Sequence, residues 1–265
     1  MASQIIHKSK VFLIVFLCSL SFPNQAAAAD PIRMGYFVLP PHHYLGPDNS
    51  KPIGAGIEYF ETLMSKTGNT VKWVGPFPLL RLFQKLETGE IEGTIGLPHY
   101  SQFDAYLYYV KTPMFLAKPI LVVRKGNPLE KITSADAIRG WRIGMISSRS
   151  GIYTPFIDNN RDKFSIETIG GNGWAEANLK KLLMGRLEAV SDRNQFTLPF
   201  VAAKMNMHSR IKVLYVPDPP TPMYVTFSKV SKRSRTLTEK YNYTLSLLNL
   251  DYGQMAQREI DAIID

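Results

Sequence analysis

Arg81 is the residue whose surroundings most clearly suit chemistry. It follows the bend Pro76-Phe77-Pro78 and stands at the start of a helical stretch. A guanidinium presented there can fork onto a carboxylate with two parallel hydrogen bonds, a geometry that an ammonium does not match. A second place is Ser147-Ser148-Arg149-Ser150-Gly151, between a strand-like and a helix-like segment. Free backbone N–H groups, hydroxyls and the positive end of a helix suit such a loop to an anion. Ser148 or Ser150 can cap the helix at the same time. His42-His43 invites a metal reading, but adjacent residues in an extended loop point apart. Beyond residue 29 only His99 and His208 remain, and there is no cysteine. No metal site follows from that spacing, and His42 or His43 is expected instead to hydrogen-bond a ligand. No nucleophile motif and no Gly-x-Gly-x-x-Gly loop occurs, so no cofactor is expected.

An alternating α/β chain must position these residues. Lys85-Leu86-Glu87-Thr88-Gly89-Glu90-Ile91-Glu92-Gly93 recurs in outline as Lys181-Leu182-Leu183-Met184-Gly185-Arg186-Leu187-Glu188-Ala189. In each copy a helical pattern runs into a Gly, where the chain past the last turn takes a left-handed conformation at little cost. An apolar stretch of strand length follows at once, 91–97 and 187–190. Two helix-turn-strand units 96 residues apart predict two similar lobes, not a solenoid. Further strands are predicted at 32–38, 70–74, 120–124, 141–146, 164–169, 211–216 and 223–227. Helices are predicted at 57–66, 79–87, 132–138, up to 157, 197–205, 237–250 and 253–263. The alternation argues for largely parallel sheets. Lobe 1 is expected to comprise 30–124 and 217–265 and lobe 2 125–216, with connectors near 123–126 and 216–222.

The chain of 265 residues is long enough for two modest cores, and 45% apolar with 20% charged residues describes an ordinary globular protein. Residues 1–29 read as an export signal: Lys8 and Lys10, an apolar run over 11–22 too short to span a bilayer, then Ala26 to Ala29 for cleavage near Ala29. Cys18, the only cysteine, follows Phe16-Leu17, so lipid attachment is not expected. Loss of the two lysines lowers the formal charge from +9 to +7. The basic residues are scattered, with a short cluster at 229–235, which describes a solvated surface and no nucleic-acid partner.

Several motifs stand in a telling order. They are Gly35 with Pro40-Pro41, Gly56-Ile57-Glu58, Leu86-x-x-Gly89-x-Ile91-Glu92-Gly93, Tyr109 to Pro113, and Leu121-Val122-Val123-Arg124-Lys125. Ile138-Arg139-Gly140-Trp141-Arg142-Ile143-Gly144 and Gly185-Arg186-Leu187-Glu188-Ala189 follow. This order resembles the family 3 extracellular solute-binding proteins, the periplasmic receptors of polar amino-acid transporters and their relatives. The resemblance implies a two-lobed fold of the type II periplasmic-binding-protein kind: two mostly parallel sheets, two hinge strands, and a ligand cleft between the lobes. Asp104 falls about where the family's carboxylate-gripping Arg stands. Asp192 or Arg193 falls where its amine-holding Asp stands. The loop of Ser147 to Gly151 matches the family's ligand loop, and a distant branch has a Pro-x-x-Arg arrangement like that of Arg81. Tyr36, Tyr44, Tyr100 and Trp174 lie near the expected cleft as walls for a flat or apolar ligand part.

The function these features imply is an exported, periplasmic, monomeric receptor. It would close by hinge motion on a small polar, carboxylate-bearing solute and deliver it to a membrane transporter of the ABC type. Two alternatives stand beside it. One is a sensory receptor that presents the closed form to a membrane kinase. The other is a dehydratase-like periplasmic enzyme, with Glu58, Asp104 or Asp192 as general acid or base.

Overall fold

The computed structural model of the protein describes residues 30–147 and 153–265. The export segment and Ser148, Arg149 and Ser150 of the expected anion loop lie outside the described residues. The first part contributes β1 (Ile32–Gly35), the small hairpin β2 (Tyr44–Leu45) and β3 (Pro52–Ile53), α1 (Ala55–Ser65), β4 (Val71–Val74), α2 (Leu79–Glu87), β5 (Gly93–Pro98), β6 (Leu107–Tyr109) and β7 (Phe115–Ala117). Next come β8 (Ile120–Arg124), β9 (Arg142–Ile146), α3 (Pro155–Asp158), β10 (Ser165–Ile169), α4 (Trp174–Leu183), β11 (Ala189–Asp192), α5 (Thr197–Lys204) and β12 (Ile211–Tyr215). The chain ends in β13 (Thr221–Ser228), α6 (Ser234–Leu247) and α7 (Tyr252–Ile264).

Two sheets result, one per lobe. The first has the order β4-β1-β5-β13-β6, with β7 also on β13, and the second β10-β9-β11-β8-β12. In each, three strands run parallel at one side, β4, β1, β5 and β10, β9, β11. In each, an antiparallel strand, β13 or β8, then closes onto the last of the three.

The nine-residue repeat is the same device built twice, and it has a third part that lies far away in sequence. Both glycines past the helices, Gly89 and Gly185, have φ of 73°, the left-handed turn that the motif needs. Glu92 accepts the backbone N–H of Arg33 at 3.0 Å, and Glu188 accepts that of Arg142 at 2.7 Å. The two arginines return hydrogen bonds to the carbonyls of Gly89 and Gly185. Each Arg stands two residues before a strand Gly that lies under the repeat's Ile or Leu. A Cβ on Gly35 would stand 2.3 Å from Ile91 Cδ1, and one on Gly144 2.5 Å from Leu187 Cδ1. Only glycine admits so close an approach.

The structure corrects several expectations. The strand 120–124 lies in the second sheet, hydrogen-bonded on both sides to β11 and β12, and its first four residues are fully buried. The chain therefore crosses between sheets at Lys118-Pro119, not near 123–126, and returns over 216–220, where a connector is expected. The helix predicted at 132–138 is a single 3-10 turn, Ala135–Ile138. Its apolar residues Ile132, Ala135 and Ile138 repeat every three, the period of that tighter helix. The helix up to 157 is one turn with Pro155 in its first turn, capped by the Thr154 side chain. The short strands β2, β3, β6 and β7 have no alternation long enough to be read from the sequence.

Candidate functional site

In open α/β sheets ligands sit beyond the carboxyl ends of the parallel strands, where the loops present unpaired backbone and side chains. Here those ends are Gly35, Val74 and Pro98 in the first sheet and Ile146, Ile169 and Asp192 in the second. The loops that follow hold Tyr36, Pro76 to Pro78, His99 and Tyr100 on one lobe. On the other they hold Ser147, Gly170 to Gly173, and Asp192 to Asn194.

Asp192 is the most distinctive of these groups. It ends β11, opposite Ile120 beside the crossing between lobes. Its Oδ1 accepts the N–H of Arg193 at 2.6 Å, and its Oδ2 lies 3.4 Å from Asn194 Nδ2. Burial pushes its carboxyl up to about 7, although hydrogen bonds from the backbone of Arg193 and Asn194 act the other way. At neutral pH such a carboxyl is poised between its two forms. Arg193 beside it is exposed. Ser147 is exposed as well, its N–H held by the carbonyl of Ile169 at 2.9 Å.

Other candidate residues are placed differently. Arg81 is exposed on the stripe of α2 that also carries Gln84, Lys85 and Thr88, facing Glu90 beyond the helix end. Lys85 chiefly, and Arg81 in smaller part, hold the Glu90 carboxyl below the usual range. Asp104 pairs with His99 at 2.7 Å, with both side chains about half exposed. Its own carbonyl is held by Lys229, past the far end of β13, which draws the residue down the flank of the sheet. Tyr100 packs on Phe83 of α2 and takes the Tyr109 hydroxyl on its N–H. Tyr36 is buried against Trp73. Trp174 is buried at the start of α4. Tyr44 donates to Glu259 at 3.0 Å and packs on Phe200 of the other lobe.

His42 and His43 are core residues. His42 is fully buried, with Nδ1 2.5 Å from the Tyr252 hydroxyl and Nε2 3.4 Å from Asn194 Oδ1. Its ring lies nearly parallel to those of Phe115 and Tyr252, with Phe196 edge-on. Burial, and then the charge of His43, lower its pKa to about 3. His43 is bonded through Nδ1 to the carbonyl of Phe37 at 2.5 Å, and burial lowers its pKa to about 4. Both ring nitrogens of His42 are occupied by protein groups, so the expectation that it bonds a ligand is not met in this arrangement. Among the described residues no three His, Cys, Asp or Glu gather as a metal site would require.

Asn194, Tyr252, Phe115 and Phe196 escape a reading of the sequence as site residues, yet together they join the lobes. The spacing Asn194-x-x-Thr197 before a helix is the one signal that points to a cap. α7 completes the joint by lying against both α1 and α5.

No protein-family model matches this sequence, and no curated protein matches it. Its fold is well matched among solved structures. An ancestral cationic amino acid solute binding protein is 16% identical with a TM-score of 0.67, over 89% of this chain and 96% of that one. The second substrate binding domain of a putative amino acid ABC transporter from Streptococcus pneumoniae is 18% identical with a TM-score of 0.63, over 89% and 100%. The periplasmic VFT2 domain of Bordetella pertussis BvgS is 15% identical with a TM-score of 0.63, over 88% and 91%. The two-lobed fold of periplasmic binding domains is thereby established for this chain. Among the described residues no helix is long and apolar enough to cross a membrane.

Proposed function

We propose that this is an exported solute-binding protein that captures a small polar, amino-acid-like solute between its lobes and delivers it to a membrane transporter. The observation that carries the reading is Asp192. This carboxylate stands at the carboxyl end of β11, the central strand of the lobe 2 sheet, beside the crossing, in a fold shared with amino-acid-binding domains. A ligand amine placed there gains a charge-assisted hydrogen bond and holds the carboxyl ionised. Arg193 and the exposed Ser147 offer the same cleft edge a cation and a hydroxyl for a ligand carboxylate. Likeness to a transporter's substrate binding domain supports delivery to a permease.

Thermal unfolding of residues 30–265 against amino acids, organic acids, amines and sugars tests the proposal. A solute at a hundred times its dissociation constant adds about 2.7 kcal/mol to stability. One such solute, recovered unchanged and bound at least tenfold more weakly by Asp192→Asn, is expected. No shift with any compound would count against small-solute capture. A second reading draws on the same residue: a carboxyl poised near pH 7 is what a general acid or base needs. Consumption of the solute on incubation would move the protein to the enzyme class.

A further inference from the structure

We propose that Asn194 and His42 are positioning residues for Asp192. A hydrogen-bonded joint, Tyr252–His42–Asn194–Asp192, carries the placement of lobe 1 into the cleft of lobe 2. The inference rests on the reading of Asp192 as the solute-facing carboxylate.

The direction of every link follows from groups that can only donate. Asn194 Oδ1 accepts the backbone N–H groups of Phe196 at 2.9 Å and Thr197 at 3.1 Å. Those two bonds identify the atom as the oxygen and exclude the flipped amide. The His42 nitrogen facing it at 3.4 Å must then be N–H, which places the ring's proton on Nε2. A neutral imidazole has one N–H, so Nδ1 is an acceptor, and the Tyr252 hydroxyl 2.5 Å away donates to it. The fixed amide turns its Nδ2 towards Thr197 Oγ1 at 3.1 Å and Asp192 Oδ2 at 3.4 Å. The Asn194 oxygen thus selects the Nε2–H tautomer of His42, the Tyr252 hydroxyl supports it by donating to Nδ1, and Asn194, braced by His42, donates to the carboxylate, favouring its ionised form.

The joint also spans the lobes. His42 is on the loop after β1 and Tyr252 opens α7, while Asn194 connects β11 to α5. The ring of His42 cannot swing away, since Phe115 stacks on it at 4.9 Å and 13° and Phe196 stands edge-on at 5.7 Å. The last two links of the joint, both 3.4 Å, exceed the usual 2.7–3.2 Å range for such bonds, so the joint is slack. A lobe movement of a few tenths of an ångström would tighten or break it. The titratable groups around it are His43 and Tyr252 beside His42, Glu259 beyond Tyr252, and Arg193 beside Asp192.

The test uses the whole described chain without ligand, so it does not depend on finding the solute. Nitrogen-15 shifts of the His42 ring report its tautomer, and the carbon-13 shift of the Asp192 carboxyl reports its titration. The Nε2–H form is expected in the unaltered protein; the Nδ1–H form would overturn the proposal even if every variant failed to fold. Tyr252→Phe removes one oxygen and keeps the ring stack. It should weaken the hold on the Nε2–H tautomer and raise the Asp192 midpoint by about half a pH unit or more, a threefold change expected for one weakened hydrogen bond. Asn194→Ser keeps a helix cap but loses the amide donor, and should raise the midpoint similarly. An unmoved midpoint in both folded variants refutes the joint. If a solute still bound through Asp192, the proposed function would survive that result.

Discussion

Mild acid should destabilise this protein through two adjacent histidines, and Asp192 should oppose them. His42 and His43 are neutral in the fold, with burial first among the causes that lower their pKa to about 3 and about 4. In the unfolded chain each returns to about 6.5. Between those values the unfolded chain binds the extra protons, so the contribution to stability is complete above pH 6.5 and is lost as pH falls. Asp192 has the opposite sign: with its folded pKa raised to about 7, the native state holds a proton that the unfolded state gives up near 4. Its contribution is present at low pH and is lost as pH rises towards 7. Each full proton of difference is worth about 1.4 kcal/mol per pH unit. From pH 6 to pH 5 the histidines remove about 2.4 kcal/mol and Asp192 restores about 1.3, a net loss of about 1.1 kcal/mol. In this window Glu92, Asp136 and Glu188, whose carboxyls hydrogen bonds and nearby cations hold down, are ionised in the folded state. Urea unfolding at pH 5.0, 5.5 and 6.0 reads the slope. Asp192→Asn should steepen it to about 2.4 kcal/mol per unit, and His43→Asn should flatten it to about zero. A wild-type slope that Asp192→Asn leaves unchanged would refute the opposition of charges argued here.

Three further outcomes follow from the packing. Arg233→Ala removes the cation that pairs with the buried Glu92 carboxylate through Nε and Nη2 at 2.6 Å each, and should cost about 3 kcal/mol by chemical denaturation. Gly96→Ala forces a φ of 72° on a residue with a side chain and sets its Cβ 3.4 Å from His43 Nε2. A loss of about 1–2 kcal/mol is expected in the same assay. Asp251→Ala removes the side chain that caps α7 through the N–H of Gln254 at 3.1 Å. It should lower stability by about 1 kcal/mol, with faster amide exchange in the first turn of that helix.

What the sequence determined by itself was the architecture. The two helix-Gly-strand units are legible because a helix end needs a left-handed residue and a buried strand needs an apolar run, both local requirements. The equivalent parts of the two lobes follow from them, and α1, α2, α4, α5 and α7 fall close to where spacing puts them. The site was legible only in part. Asp192 stands out because it ends the second unit's strand, but nothing local distinguishes it from Arg193 as the group that burial sets apart. Its raised pKa arises from burial that the other strands and α5 create. The role of His42 was decided by tertiary structure alone. Its partners lie 210 residues away at Tyr252 and 152 away at Asn194, and they turn an expected ligand-facing histidine into a buried link between lobes. The Arg33–Glu92 and Arg142–Glu188 pairs are hidden for the same reason, being 59 and 46 residues apart. Periodicity records which face of an element is buried, whereas the partner that a buried polar group meets depends on how the sheets pack, which no local pattern encodes.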